Sequence, residues 1–326
     1  MNARLLGKTG YNVSEIGFGA WAIGGDWGET DDVESLAAMH AAVDAGVTFF
    51  DTADVYGDGR SERLVGRLLR ERDERLIVAT KFGRRVPLDL ASYTYENFRG
   101  WLERSRENLG VEAVDLVQLH SLPWETYYTP SVFEACDRLV EEGLVGAYGV
   151  SVEKVEEALK AIEYPGVATV QIIFNVFRQR PAGLFFEQAL RREVGVIVRV
   201  PLASGLLTGK FSRESRFAAA DHRTFNRHGE AFDAGETFAG VDFEQGLDAV
   251  EALRELVPEG ATLAQLALRW ILDFEAVSTV IPGAKTPEQA RANAAAAELA
   301  PLPEETHAAI ADLYARRMAP HVHQRW

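Results

Sequence analysis

Cysteine occurs once in the 326 residues, at Cys136. One thiol cannot form an intrachain disulfide or supply the several thiolates of a structural zinc site, so both stabilisers are excluded within the chain. Cys136 ends the run Val132-Phe133-Glu134-Ala135-Cys136, which reads as one face of a helix, and a buried structural thiol is expected there. No apolar run approaches the ~20 residues of a membrane helix, and Met1 to Leu6 lack the apolar core of a signal peptide. The expectation is a cytoplasmic protein with no membrane partner. Positive charge is also scarce, with 34 basic residues against 49 acidic ones and a formal net charge of −15. Nucleic acid and anionic membranes require broad positive patches, so neither is expected as a partner. A small anionic ligand needs only one local basic cluster and stays open. Lysine is scarcer still, with six in the chain.

What is present is a core. Hydrophobic residues make up 47% and charged residues 25%, the balance of a folded chain. Short runs of Val, Ile, Leu and Phe alternate with amphipathic segments. The strands are expected at 16–19, 47–50, 76–80, 114–119, 147–150, 169–173, 196–200 and 278–281. Helices are expected between them, such as 32–45, 61–72 with Ser61 as its cap, 95–109, 130–142 and 184–193. Nearly continuous apolar strands belong to a parallel sheet buried on both faces. Eight such βα units fit an α/β fold, a (β/α)8 TIM barrel, for which ~250 residues is typical. A doubly wound open sheet is the alternative. Arg4 to Ser14, with its Gly7-Lys8-Thr9-Gly10 turn, reads as an N-terminal β-hairpin plugging one barrel end. The 211–242 segment has little periodicity and reads as an extra loop at the C-terminal face, where barrel active sites lie. No Pro- or Ser-rich linker divides the chain, so one domain over 1–326 is expected.

Three successive strands end in polar residues. Phe49-Phe50 runs into Asp51, Ala79-Thr80 into Lys81, and Gln118-Leu119 into His120, while Tyr56 follows Asp51 by one loop turn. Adjacent strand ends of a barrel converge. Tyrosine, with a pKa of about 10, is a poor acid at neutral pH, and a nearby ammonium should lower that value. A carboxylate can hold the ammonium, and a neutral histidine can polarise a carbonyl oxygen. Asp51, Lys81, Tyr56 and His120 therefore suit general-acid reduction of a carbonyl, or general-base oxidation of an alcohol.

Phe50-Asp51-Thr52-Ala53-Asp54-Val55-Tyr56-Gly57, followed by Ser61-Glu62, resembles the signature of the aldo-keto reductase superfamily. Ala79-Thr80-Lys81 and Leu119-His120 match its other two catalytic strand ends, and the similarity extends from Leu6-Gly7 to Asn293. The resemblance implies a TIM barrel that transfers hydride from NADPH without metal. By it, Tyr56 is the proton donor, Lys81 tunes it, Asp51 supports Lys81 and His120 orients the carbonyl. It also implies a cofactor path. Ser151 and Gln171 match positions that hold the nicotinamide carboxamide, although Val152 stands where the family usually has Asn. Arg199 stands where an aromatic residue stacks on the nicotinamide. Its charge should favour the reduced, neutral ring over the cationic oxidised one. Pro201, Leu202, Ser204, Gly205 and Lys210 suit the pyrophosphate. Ile281-Pro282-Gly283-Ala284-Lys285, with Gln289 and Asn293, resembles the adenosine-binding turn. Lys285 is the candidate for a 2′-phosphate, which favours NADP(H), with NAD(H) as the second option. Gln289 stands where the best-known members carry Arg, and Ala292 where Glu is frequent.

Ile16-Gly17-Phe18-Gly19 contains G-x-G but lacks the third glycine of a Rossmann unit. Trp21 and Phe82 are expected to line a substrate pocket, with Trp27 and Trp124 as further candidates, and 211–242 and His321 to Trp326 to cover it. The expected partner is a small carbonyl or alcohol. Two alternatives stay open: a cofactor-binding regulatory subunit with slow turnover, and a lyase or isomerase using Lys81 as a Schiff-base nucleophile. Oligomeric state is left open.

Overall fold

The computed structural model describes residues 1–25, 27, 28 and 30–326. Two short strands, β1 (Ala3–Leu5) and β2 (Asn12–Ser14), pair antiparallel as a hairpin. The series that follows is β3 (Phe18–Gly19), α1 (Asp32–Asp44), β4 (Phe49–Asp51), α2 (Arg60–Glu71), β5 (Ile77–Phe82), α3 (Tyr95–Leu109) and β6 (Val114–His120). It continues with α4 (Pro130–Glu141), β7 (Val145–Ser151), α5 (Val155–Ala161), β8 (Val167–Ile173), α6 (Leu184–Arg191) and β9 (Gly195–Arg199). After β9 come α7 (His222–Phe225), α8 (Phe243–Arg254), α9 (Leu263–Leu272), β10 (Val277–Val280), α10 (Pro287–Ala294), α11 (Glu304–Leu313) and α12 (Ala319–Val322). No helix among the described residues is long and apolar enough to cross a membrane.

The eight strands β3 to β10 pair in parallel in sequence order. Parallel bridges from Ile16 to Val280 and from Gly19 to Gly283 close the sheet into a (β/α)8 barrel. Gly19 belongs to this seam: a Cβ there would stand 2.6 Å from the Ile281 carbonyl oxygen. The G-x-G of the first strand therefore serves barrel closure. Side-chain caps define several helix starts. Asp31 accepts from the Val33 and Glu34 amides, Thr94 from Asn97, and Thr286 from Gln289. Such a cap is worth about 1 kcal/mol. Ser61 is not the cap of α2. Gly59 occupies that position, and the Ser61 hydroxyl instead donates to the Ala20 carbonyl. Helices α8 and α11 were not anticipated as separate elements.

Strand alternation splits the apolar residues into two cores. Phe50, Val78, Phe82, Val117, Leu119, Val150, Val170 and Val198 point outward into the layer beneath the helices. Phe49, Ile77, Ala79, Leu116, Ala147 and Ile197 point into the barrel, where Leu6 and Val13 of the hairpin join them. The hairpin is thus the expected plug. Its turn needs glycine: Gly7 has φ +53°, and a Cβ there would lie 2.2 Å from the Gly195 amide nitrogen. Gly7→Ala is expected to destabilise the fold by about 2 kcal/mol or more in urea unfolding, because strain and a backbone clash add. A change below about 0.5 kcal/mol would contradict this seating.

Candidate active site

The inward rows that begin apolar end polar. Asp51 continues the row of Phe49, Lys81 that of Ile77 and Ala79, Gln118 and His120 that of Leu116, Ser151 that of Ala147, and Arg199 that of Ile197. Gln171 lies between outward-facing Val170 and Ile172 and shares the inward layer. Lys81 Nζ donates to Asp51 Oδ2 at 2.5 Å, to the Thr52 carbonyl at 2.9 Å and to Tyr56 Oη at 3.3 Å. All three ammonium protons are used, with Lys81 only 1% exposed. Asp51 Oδ1 accepts from Gln118 Nε2 at 3.0 Å and from Gln171 Nε2 at 2.7 Å. Removing one partner of such a buried pair costs about 3–5 kcal/mol.

Burial alone would lower the Lys81 pKa, but Asp51 and Tyr56 outweigh it and hold the group above its ordinary value. Lys81 is a firm ammonium, which is the wrong state for a Schiff-base nucleophile. For Tyr56 the balance falls the other way from expectation. Burial raises its pKa, and Lys81 offsets only part of that rise. The phenol is therefore protonated at neutral pH and can donate. Burial, reinforced by Arg84, Lys81 and Arg199, drives His120 well below its ordinary pKa, so the ring is neutral. The rings of Tyr56 and His120 meet edge to face at 5.9 Å.

The loop that carries Tyr56 is tied on both sides. Thr52 Oγ1 donates to Ser61 Oγ, and Asp58 pairs with both Arg85 and Arg104. Buried Glu62 accepts from Thr80 Oγ1 at 2.6 Å and Asn108 Nδ2 at 2.8 Å, which fixes α2 beside the Lys81 strand.

Tyr56 and His120 line a cavity of about 500 Å³ with Trp21, Trp27, Ser151, Gln171 and Arg199. The same cavity is lined by Pro201, Leu202, Ser204, Gly205, Lys210, Gly283, Lys285, Gln289 and Asn293, so the expected cofactor residues share one cleft with Asp51, Tyr56 and His120. Several have polar atoms already engaged. The Ser204 hydroxyl donates to the Glu236 carbonyl and accepts from the Phe238 amide, Gln289 Oε1 accepts from the Lys285 amide, and Asn293 Nδ2 donates to the Gly283 carbonyl. Lys285 Nζ donates to the Trp27 carbonyl. Trp21 stacks over Tyr56 with centroids 6.1 Å apart and meets Trp27 edge-on.

Two aromatic expectations are corrected. Phe82 does not line the pocket. It follows inward-facing Lys81, so the pleat turns it outward, where it is fully buried against Phe98 and Trp101. Trp124 is 61% exposed on its loop and packs on Tyr128, away from the cavity. The tail also acts indirectly. Trp326 does not line the cavity; its Nε1 donates to Asp233 at 2.8 Å and its ring lies on Arg178, so it pins the loop that does.

Arg199 lines the cleft, but part of its charge is offset. Nη2 pairs with Glu153 at 2.9 Å and donates to the Val152 carbonyl at 3.1 Å, and Nη1 lies 3.6 Å from Glu236. Glu153 thus offsets part of the guanidinium charge on which the expected preference for a reduced, neutral ring rests. Burial alone would raise the Glu153 pKa, yet Arg199 and Arg84 pull it down. Glu236, with burial and the Glu153 charge against it, is raised. Glu153, Glu236, Arg84 and Arg223 were not anticipated. Nor was the role of Gln118, although its place two residues before His120 puts it on the inward row. Arg223 lines the cleft and pairs in bidentate fashion with Asp221, whose backbone bridges Trp27 and so joins the 211–242 loop to the segment after β3.

The model of the Aldo/keto reductase family matches residues 15–315. The chain belongs to this family. Among relatives, the aldo-keto reductase YhdN of Bacillus subtilis is 31% identical over 297 residues, covering 88% of this chain and 86% of that one. A probable voltage-gated potassium channel subunit beta of Oryza sativa is 30% identical, with 93% of each chain covered. Among solved structures, the glycerol dehydrogenase AKR11B4 from Gluconobacter oxydans superposes with a TM-score of 0.79 at 29% identity, covering 98% of this chain and 96% of that one. As an aldo-keto reductase, the chain carries an oxidoreductase fold.

The neutrality of His120 can be checked directly. Nitrogen NMR should show an uncharged imidazole from pH 6 to pH 8, where an ordinary histidine of pKa about 6.5 would titrate. A ring protonated at pH 6 would contradict the buried, cation-flanked site.

Proposed function

We propose that the protein reduces an aldehyde or ketone to an alcohol, with Tyr56 as general acid and with NADPH preferred to NADH. The contact of Tyr56 with a Lys81 ammonium, itself locked to Asp51, carries this reading. The cleft residues fit a nicotinamide dinucleotide. Lys210 and Lys285 supply cationic charge along the same cavity as Tyr56, which suits a polyanionic ligand. Lys285 would meet a 2′-phosphate, Arg199 would lie against the nicotinamide, and Ser151 would face the carboxamide. Gln171 can serve there only through its oxygen, because its Nε2 is engaged with Asp51. When bound, the dinucleotide supplies a hydride to the carbonyl carbon.

The chain's own residues manage the oxygen. A carbonyl oxygen placed between Tyr56 and His120 accepts from the phenol and from a neutral imidazole N–H. Negative charge gathers on that oxygen in the transition state, and donors already fixed in a buried site stabilise it without reorganising. Tyr56 then passes its proton to the oxygen. The phenolate left behind lies 3.3 Å from the Lys81 ammonium, whose charge compensates it. Gln118 and Gln171 hold Asp51, and through it Lys81, in register. The reverse order of these steps oxidises an alcohol, the direction in the name of the Gluconobacter neighbour.

A regulatory role deserves one comparison, because a relative of this length is named as a channel subunit. The complete tetrad here, with every Lys81 donor satisfied, favours turnover. Tyr56→Phe is expected to lower kcat for aldehyde reduction by about 10²-fold or more, the size of a lost general acid. NADPH affinity by fluorescence titration should stay within about twofold. Undiminished turnover in this variant would overturn the acid assignment.

A further inference from the structure

We propose that Gln118 is a positioning residue for the proton donor: by donating to Asp51 it takes up part of the charge that opposes Lys81, and so sets how readily Tyr56 releases its proton. The inference rests on the proposed reduction and deepens it. Gln118 is fully buried and does not line the cleft, so it acts only through its neighbours.

The two oxygens of Asp51 serve different groups. Oδ2 takes the Lys81 ammonium at 2.5 Å, while Oδ1 takes Gln118 Nε2 at 3.0 Å and Gln171 Nε2 at 2.7 Å. A carboxylate only accepts, so both amides must present N–H to it. That choice leaves the Gln118 oxygen to accept from Gln171 Nε2, at 3.1 Å. The three side chains thus close a ring whose hydrogen-bond directions follow from the charge of Asp51. The strands permit it. Gln118 is in register with Lys81 on β5 and with Gly149 on β7, the strand that stands between Gln118 and Gln171. Gly149 falls on the inward row of β7 with Ala147 and Ser151, so no side chain separates the two amides.

Lys81 divides its donors between Asp51 and Tyr56. The Asp51 charge works against a phenolate at Tyr56, and the Lys81 charge works for it. A buried carboxylate short of donors draws the ammonium proton toward itself, which leaves less cation for the phenolate. Donors on Oδ1 stabilise the carboxylate and weaken that pull. Gln171 lines the cleft as well, whereas Gln118 does not. Loss of Gln118 therefore takes a donor from Asp51 without removing a cleft residue. The remaining charged or titratable groups of the inward layer are His120, neutral in this site, and Arg199, held by Glu153.

The test measures single-turnover hydride transfer from saturating NADPH to propanal and to benzaldehyde in wild type, Gln118→Met and Gln118→Glu. NADPH fluorescence and thermal unfolding first show a bound, folded protein at each pH. Gln118→Met, which cannot hydrogen-bond, should slow transfer by about tenfold or more at every pH, the size of one hydrogen bond to a charged group. The loss should fall on the transfer rate, with the aldehyde concentration at half-saturation within about threefold of wild type. Gln118→Glu adds rescue by a proton. Its carboxyl, buried beside Asp51, keeps its proton at low pH and then donates as the amide does. Ionised, it cannot donate and adds a second negative charge. Its rate relative to wild type should be within about threefold at about pH 6 and fall by about tenfold or more by about pH 9. If Gln118→Met does not bind NADPH, the pH dependence of Gln118→Glu decides alone. A Gln118→Glu to wild-type ratio that is flat with pH, or a loss carried by half-saturation instead of transfer, overturns the role of Gln118 and leaves the proposed reduction standing. Wild type that binds NADPH and reduces neither aldehyde overturns the proposed reduction itself.

Discussion

An ammonium buried to 1% exposure is tolerable only if every proton it carries finds an acceptor, and Lys81 meets that demand through Asp51, Thr52 and Tyr56. The surrounding site follows from this requirement. Asp51 compensates the charge, Gln118 and Gln171 occupy its second oxygen, and Glu62 ties α2 against the strand that carries Lys81. The third donor direction is left for Tyr56. A phenol there stays protonated because burial outweighs the ammonium, yet the phenolate formed on proton release has a cation waiting at contact distance. The ammonium thus offsets part of the cost that burial imposes on the phenolate.

The barrel delivers these groups with the tolerance of a sheet. Strand alternation stacks an apolar layer of Phe49, Ile77, Leu116 and Ile197 beneath the polar layer of Asp51, Lys81, Gln118 and Arg199. The hairpin residues Leu6 and Val13 complete the floor. Above it, the 211–242 loop brings Arg223 and Glu236 into the cleft and is itself fastened by Trp326. Lys81 itself is held by Asp51, Thr52 and Tyr56, all outside that loop.

Much of this was legible in the chain because strands and their ends have a strong signature. Nearly continuous apolar runs located eight strands, and a polar residue closing three of them located Asp51, Lys81 and His120. Phe82 faces away from the pocket because two consecutive strand residues cannot face the same side, a constraint already present in its place after Lys81. Gln118 was equally available from its spacing to His120. Other features were not available at all. The direction of the Tyr56 shift depends on depth of burial, which sequence does not record. The pairing of Arg199 with Glu153 and Glu236 joins a strand, a helix approach and an aperiodic loop, and no local pattern announces it. The helix α8 carries Leu247, Val250 and Leu253 inward, but it directly follows the aperiodic segment, which blurs its start in the sequence.

The central claim is that the Lys81 ammonium makes hydride transfer possible by compensating the charge left on Tyr56. Single-turnover mixing of the NADPH-loaded protein with an excess of propanal, followed by loss of reduced-nicotinamide absorbance, tests it with Lys81→Met beside wild type. The account predicts transfer slowed by about 10²-fold or more, with NADPH affinity and thermal unfolding showing a bound, folded variant. Transfer at the wild-type rate in folded, NADPH-bound Lys81→Met would contradict it.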